Sequence, residues 1–474
     1  MAQNNSEHSL EFEKTLEKHT TDIPGLIWFD LPVHGDTRGW FKENWQREKM
    51  TALGLPDFHP VQNNISFNDE VGTTRGIHAE PWDKYVSIAS GSVFGAWVDL
   101  REGDTFGETF TLQLDPTKAI FVPRGVANSF QVLEKDTAYT YLVNDHWSPD
   151  GEYAFVNLND PNAAIDWPIS LDSAILSEKD KAHPHLTDVT PIKPKKTLIT
   201  GANGQLGRAL RLEFPDAEFV DRSAFDITNP ESWDAYRWKD YATIINAAAY
   251  TAVDQAETAE GRVEAWQANA TAVKNLARVA IENNITLVHI SSDYVFDGSK
   301  TSHDEDEPFS PLNVYGQSKA AGDIAATTVP QHYIARTTWV VGEGKNFIEI
   351  MKSLAEKGVK PSVVDDQIGR LTFTQDLARG IKHLLDVQAP YGTYNLTNDG
   401  EPTSWAAIAK KTYELTGHNP NDVTGVTTEK YYEGKSGIAP RPLQSTLNID
   451  KIQSTGFAPR RWDEALQDYL KKQS

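Results

Sequence analysis

The stretch Thr197-Leu198-Ile199-Thr200-Gly201-Ala202-Asn203-Gly204-Gln205-Leu206-Gly207 decides how the second half of the chain folds. A short β-prone run, Thr197–Thr200, feeds a turn of small residues, and a helical pattern begins at Leu206. Glycines at such a turn let backbone N–H groups approach a pyrophosphate, and the helix N-terminus behind them adds partial positive charge. Three glycines alone are a weak signal, but a strand before and a helix after are the context this motif needs. Toward the C-terminus the alternation continues: strand Thr243–Ala247, helix around Val263–Asn283, strand Thr286–Ser291, helix from Tyr315, strand Tyr333–Thr337. Such alternation predicts an α/β, doubly wound parallel sheet over residues 197–474, with helices on both faces and a substrate-binding part at the C-terminal end.

Toward the N-terminus the grammar changes. Residues 185–196 hold two prolines and end in a basic run, which predicts a linker over 186–196. Upstream, short apolar runs at Tyr85–Ala89, Val93–Leu100, Phe110–Leu114, Ile120–Pro123 and Tyr139–Val143 are separated by turn residues, with no long helical pattern between them. That spacing predicts an all-β sandwich or barrel over residues 21–185, preceded by a polar tail at 1–20.

Composition narrows the function. The 474 residues carry 45 Lys and Arg against 67 Asp and Glu, a formal charge of −22. A surface this acidic repels phosphate backbones and anionic lipid, so neither nucleic acid nor membrane is an expected partner. The absence of cysteine removes thiolate nucleophiles, disulfides and Cys-ligated metal centres. No apolar run is long enough to span a bilayer, and a cytoplasmic enzyme is expected.

In the second half, Tyr315 and Lys319 lie four residues apart and share a helix face. A cation beside a phenol is expected to lower its pKa, suiting Tyr315 to pass a proton to a carbonyl oxygen that receives hydride. Ser292 falls at the end of a central strand, where the ligand crevice of an open sheet lies. The stretches GANGQLG (201–207), INAAAYTAVDQAE (245–257), ISSDYVFDG (290–298), NVYGQSK (313–319), ARTTWVVG (335–342), VVDDQIGRLTFTQDLA (363–378) and APRPLQSTLNIDK (439–451) resemble the extended short-chain dehydrogenase/reductases, in their dTDP-4-dehydrorhamnose reductase branch. The resemblance implies a Rossmann fold, Tyr315 as proton donor, Lys319 as its ribose-binding partner and Ser292 polarising the C4 carbonyl. It further implies cofactor contacts from Gly201, Asn203, Gly204, Gln205, Leu206, Gly207, Asp226, Ile227, Ala247, Ala248, Ala249 and Tyr250, with Asn246 beside them, and substrate contacts from Trp339 and Arg441. NADPH and NADH both stay open, since Asp221 suits a ribose diol while Arg208 and Arg222 suit a 2′-phosphate. No ligand cluster for magnesium is evident.

In the first half, His34, His59, His78 and His146 show no short His-x-His spacing, so a metal site is the weaker reading. Arg75, His78 and Lys84 would suit an anionic, enolisable substrate. The stretches DTRGWFKENW (36–45), QNNISF (62–67), RGIHAEPWDKYV (75–86), GSVFGAWVDLREGDTFG (91–107), VPRGVANSF (122–130), YLVNDHWSP (141–149) and LNDPNAAIDWP (158–168) resemble the dTDP-4-dehydrorhamnose 3,5-epimerases. That resemblance implies a cupin-like jelly roll working without metal or cofactor, as a homodimer. His78 would be the base, Asp180 its orienting partner, Tyr141 the acid and Lys84 the stabiliser of the enolate oxygen. Arg38 and Arg75 would clamp the pyrophosphate, Phe41 and Trp147 would contact thymine or sugar faces, and Glu43, Gln62, Asn64 and Asn128 would add polar contacts. Asn128 stands where the family carries His, Trp147 where Tyr is common, and Glu80 where Gln is usual.

Together the two halves imply a bifunctional epimerase and NAD(P)H-dependent reductase that forms dTDP-L-rhamnose for cell-wall polysaccharide. A single-centre epimerase giving another 6-deoxyhexose stays open because of Asn128. A non-catalytic dinucleotide-binding second half is the distant alternative, against which the intact Ser292, Tyr315 and Lys319 stand.

Overall fold

The structure, a computed structural model, describes residue 12, residues 14–149 and residues 151–472. The chain divides after Pro194 into two compact units, each described by itself.

The first unit is built from strands β1 (Glu17–Thr20), β2 (Ile27–Asp30), β3 (Val33–Asp36), β4 (Gly39–Lys42), β5 (Gln62–Asn68), β6 (Thr74–Ala79), β7 (Lys84–Ser90), β8 (Val93–Asp99), β9 (Thr109–Leu114), β10 (Lys118–Val122), β11 (Val126–Val132), β12 (Thr137–Val143) and β13 (Ala154–Phe155). Two short helices, α1 (Arg47–Ala52) and α2 (Glu178–Lys181), complete it. One antiparallel sheet runs β1-β2-β10-β7-β12-β5, a second runs β13-β6-β11-β8-β9, and β3 and β4 form a separate hairpin. Val86, Ile88, Ile120 and Tyr139 from the first sheet meet Trp97, Val126 and Phe130 from the second in one buried cluster, so the sheets pack face to face. Each such fully buried side chain contributes roughly 1.5–3 kcal/mol. The expected all-β organisation is therefore present.

Two expectations need correction. Of the expected tail at 1–20, residues 1–11 and 13 lie outside the described residues, but Glu17–Thr20 is a strand paired with β2, with His19 stacked on Trp28 at 3.8 Å. An edge strand keeps one side solvated, so its own sequence carries no apolar alternation, and the partner strand supplies the order. The expected linker at 186–196 is largely part of the first unit. Leu186 and Ile192 are buried with Ile77 and Val98, and Ile192 exchanges backbone hydrogen bonds with Leu100 and Glu102 at 2.7 and 2.9 Å. Proline limits helix and sheet pairing, not burial.

In the second unit the parallel sheet contains β14 (Lys196–Thr200), β15 (Glu218–Val220), β16 (Tyr241–Asn246), β17 (Thr286–Ser292), β18 (His332–Thr337) and a sixth strand, Gly392–Asn395. Their order is β15-β14-β16-β17-β18 followed by Gly392–Asn395. The chain leaves β14 outward to β15 and crosses back to β16, so the topological switch point lies at the C-terminal ends of β14 and β16. Helices α3 (Gln205–Glu213), α4 (Ala259–Trp266), α5 (Ala272–Asn283) and α6 (Val314–Ala326) connect these strands. The single helix expected around 263–283 is two, joined by a π-helical turn at Gln267–Thr271. No helix among the described residues is long and apolar enough to cross a membrane.

Candidate active sites

In the first unit, β6 delivers His78 into a cavity of about 580 Å³. Gly76, at φ +135°, is required here: a Cβ would come within 2.2 Å of the Ser129 side chain, so only glycine lets β6 approach β11 this closely. The register then sets His78 opposite Asn128. His78 Nε2 lies 3.0 Å from Asp180 Oδ1, across 102 residues of sequence. Ser177 caps α2 and holds the backbone of the buried Asp180.

Arg75, His78, Lys84, Asn128, Tyr141 and Asp180 line the cavity together. Lys84 is buried, ion-paired with Glu80, and its ammonium stands 5.5 Å from the Tyr141 ring centre. Burial raises the Tyr141 hydroxyl pKa, Glu80 adds to the rise, and Arg75 opposes it. The phenol is thus protonated at neutral pH, the state a proton donor needs. Asn128 Oδ1 accepts from Trp97 Nε1 and from the Tyr139 hydroxyl, both at 2.9 Å. Those two donors fix which way the amide faces.

Other expected residues of this unit are not on the cavity wall. Arg38 lies on the β3–β4 hairpin, 88 % exposed and ion-paired with Asp36, and Phe41 on the same hairpin is 66 % exposed. Glu43 pairs with Lys49, and Trp147 is 70 % exposed. Gln62 donates to Asn64 at 2.7 Å and contacts His146, beyond the cavity-lining Ser66 on the same strand. The physical reason is common to these residues: they sit on a hairpin, an edge strand and a loop at the surface of the unit. Ser66, Glu80 and Tyr139 line the cavity without having been anticipated, and outside its wall His183 packs edge-on against His78 with ring centres 5.2 Å apart. His78, Asp180 and His183 place ligating atoms within 4.8 Å of one another, a cluster that sequence spacing could not reveal.

In the second unit, Gly201 has φ +71° and a Cβ there would lie 2.7 Å from the Ala247–Ala248 backbone. This close approach opens the turn at the switch point. A cleft of about 300 Å³ is lined by Gly201, Gly204, Arg222, Asp226, Ile227, Ala247, Ala248, Ala249 and Tyr250. Gly204, at the N-terminus of α3 with no side chain capping it, lines the cleft, and backbone N–H groups there suit a pyrophosphate. Asn203, Gln205, Leu206 and Gly207 do not line it. Asn203 donates to Asp221 at 2.7 Å, Gln205 accepts from the Gly342 N–H at 2.7 Å, Leu206 is buried in the core, and Gly207 packs against the Gly201 carbonyl. Asn246 is also internal, accepting from Thr200 at 2.8 Å and touching His289 at 3.2 Å. Arg222 pairs with Asp226 at 3.0 Å and remains 84 % exposed at the cleft, whereas Arg208 is bound to the Asn203 and Glu343 carbonyls.

Ser292, Tyr315 and Lys319 come together at the end of β17. Ser292 donates to Asp293 at 2.9 Å and accepts from the Tyr294 N–H at 3.2 Å, Lys319 Nζ donates to the Ile290 carbonyl at 2.5 Å, and the Ser292 hydroxyl lies near enough to Tyr315 to act on its phenol. The expected lowering of the Tyr315 pKa is not what the geometry gives. Burial pushes it up to about 12, against which the nearby Ser292 hydroxyl is the smaller effect. Burial likewise pushes Lys319 down to about 8, partly offset by Asp323. Asn269, in the π-helical turn, joins the cleft to this group: it accepts from the Tyr250 N–H at 2.9 Å and donates to Ser318 at 3.0 Å. Arg441 is held by Asp254 at 2.8 Å and faces the Tyr432 ring, while Trp339 stacks on Trp405 at 3.9 Å. Asp254, Asp293, Asn269 and Trp405 were not anticipated; their signal is tertiary.

Comparison with known proteins gives a separate assignment for each unit. Residues 20–188 match the family model described as dTDP-4-dehydrorhamnose 3,5-epimerase, and residues 195–474 match the RmlD substrate binding domain. The protein named RmlC homolog from Streptococcus pyogenes is 54 % identical over 192 residues, covering 39 % of this chain and 96 % of that protein. A dTDP-4-dehydrorhamnose reductase from Aggregatibacter actinomycetemcomitans is 38 % identical over 301 residues, covering 58 % and 97 %. The crystal structure of the Bacillus anthracis dTDP-4-dehydrorhamnose reductase in complex with NADP is similar with a TM-score of 0.54 and 34 % identity, covering 59 % of this chain and 99 % of that one. The chain therefore belongs to both the dTDP-4-dehydrorhamnose 3,5-epimerase family and the RmlD reductase family, as a fusion of one member of each.

Proposed function

We propose that the chain carries out two consecutive reactions on one nucleotide-sugar: 3,5-epimerisation of dTDP-4-dehydro-6-deoxy-D-glucose, then NADPH-dependent reduction of the C4 ketone to dTDP-L-rhamnose. The observation that carries the reading is that both reacting sets are complete on one chain. His78 is seated on Asp180 at 3.0 Å in a cavity shared with Lys84 and Tyr141, and Ser292, Tyr315 and Lys319 gather at the end of one central strand.

In the first reaction the C4 ketone acidifies the hydrogens on C3 and C5. His78 takes a proton, Asp180 holds the imidazole and stabilises its cation, and Tyr141 returns a proton from the other side of the ring. Lys84 faces the developing enolate oxygen, where a fixed charge out of bulk water acts most strongly. Arg75 meets the pyrophosphate. Arg38, Phe41, Glu43 and Trp147 reach substrate in a homodimer, an arrangement supported by the unpartnered outer face of edge strand β5, where Ile65 and Phe67 are 68 % and 56 % exposed.

In the second reaction NADPH, when bound, supplies the hydride. Tyr315, protonated through the physiological range, gives its proton to the C4 oxygen, and Ser292 hydrogen-bonds that oxygen. Lys319 holds the ribose and compensates charge on the phenol. Exposed Arg222 at the cleft favours a 2′-phosphate and hence NADPH over NADH.

Mixing two variants tests the assignment. His78→Ala and Tyr315→Phe should each fail alone to convert dTDP-4-dehydro-6-deoxy-D-glucose and NADPH to product, and should succeed when combined. Failure of the mixture, with both proteins folded, would refute the division of labour.

A further inference from the structure

Behind the base, the first unit holds a buried imidazole that the epimerisation does not use, His183, which completes a donor set with His78 and Asp180. His78 comes from β6, Asp180 from α2 and His183 from the segment just after it, and the three ligating atoms lie within 4.8 Å of one another. His78 Nε2 is 3.0 Å and His183 Nε2 is 3.8 Å from the same Asp180 Oδ1. Asp180 and His183 are both more than nine-tenths buried. Neither ring nitrogen of His183 has a hydrogen-bond partner. A buried imidazole left without a partner costs free energy that a ligand recovers.

Two imidazoles and a carboxylate are the donors of zinc-class transition metals, whereas magnesium and calcium prefer oxygen alone. In a tetrahedral site with zinc bonds of about 2.0–2.2 Å the ligating atoms stand roughly 3.3–3.6 Å apart, a span that the 3.0 and 3.8 Å separations from Asp180 Oδ1 bracket. His78 and Asp180 also line the substrate cavity, which leaves a further coordination position open to water. The opposing charge is Lys179, whose ammonium lies 5.1 Å from the centre of the Phe155 ring that stacks on His183. The Asp180 carboxylate, in direct contact with both imidazoles, is closer to the metal position.

We propose that a divalent transition metal of the zinc class binds at His78, Asp180 and His183 and switches off epimerisation by occupying the imidazole that takes the proton. The inhibitory part rests on His78 being the base; the binding part does not. A second cluster, Glu17, His19 and Asp30, offers only one imidazole and serves as the control.

The test uses the full chain stripped with chelator and titrated with Co²⁺, whose visible absorption reports coordination, and with Zn²⁺. His183→Gln and His183→Asn should each weaken Co²⁺ binding at least tenfold, while His19→Asn leaves it unchanged. Zn²⁺ should reduce deuterium uptake from heavy water into dTDP-4-dehydro-6-deoxy-D-glucose to background, reversibly with EDTA. Without metal, the His183 variants should exchange within about threefold of the parent. X-ray absorption of the parent's zinc complex, which needs no variant to fold, should show two imidazoles and a carboxylate oxygen. One imidazole or an all-oxygen shell overturns the site, as does unaltered Co²⁺ binding in folded His183 variants. Two-imidazole binding with undiminished exchange overturns the inhibition, and with it His78 as the base, but not the site.

Discussion

Reduction should fail on the alkaline side because of Lys319. Its ammonium is buried against the Ile290 carbonyl, and burial brings its pKa from 10.5 down to about 8 despite the favourable charge of Asp323. A shift of that size corresponds to about 3 kcal/mol held against the charged form. A neutral amine can still donate to a ribose, but only the ammonium offsets charge on the phenol, so activity should track its protonated fraction. Protonation is nearly complete at pH 7, falls through one half near pH 8, and is about one tenth at pH 9. A solvated lysine would still be more than about nine-tenths protonated there. Tyr315, raised to about 12, keeps its proton throughout and does not contribute this limb. The assay is single-turnover oxidation of NADPH from pH 6.5 to 10, with sugar first equilibrated by the epimerase unit so that only reduction is timed. The expected result is a roughly tenfold fall between pH 7 and 9, removed by Lys319→Arg wherever that variant still reduces. A rate that stays level to pH 10, or a limb that survives in an active Lys319→Arg variant, would refute the reasoning.

Three further perturbations follow from the same geometry. Asp180→Asn removes the carboxylate that holds His78 and should lower deuterium exchange by about 10²–10⁴-fold, with reduction of pre-epimerised sugar within twofold. Asn128→Ala strands the Trp97 and Tyr139 donors at about 1–3 kcal/mol each, so the first unit should melt earlier in calorimetry; Asn128→Asp keeps the acceptor and should cost less. Gly201→Ala puts a Cβ against the Ala247–Ala248 backbone at a φ of +71°, and isothermal titration should show NADPH binding weakened at least tenfold. Unchanged exchange, melting or affinity in these three cases would count against the corresponding contact.

What the sequence made legible was local or periodic. The Gly201–Gly207 turn, the Tyr315–Lys319 spacing and the strand punctuation of the first half each express a backbone requirement within a few residues. Burial is not of that kind. The pairing of Tyr315 with Lys319 suggests a lowered phenol pKa, yet desolvation dominates and moves both groups the other way. Long-range convergence is equally hidden: Asp180 meets His78 across 102 residues, and His183 joins them only through that fold. Resemblance could assign Arg38, Phe41 and Trp147 to substrate, but it carries no information on their exposure, which the hairpin and loop they sit on decide. Strand β1 was missed because its polar side chains are ordered by β2, not by their own pattern.

The most direct test of the two-step account is one incubation of the full chain with dTDP-4-dehydro-6-deoxy-D-glucose and NADPH in heavy water, with the product identified by NMR. The account predicts stoichiometric NADPH oxidation and dTDP-L-rhamnose carrying deuterium at both C3 and C5. A reduced sugar that keeps its original configuration at C3 and C5, or no oxidation at all, would contradict it.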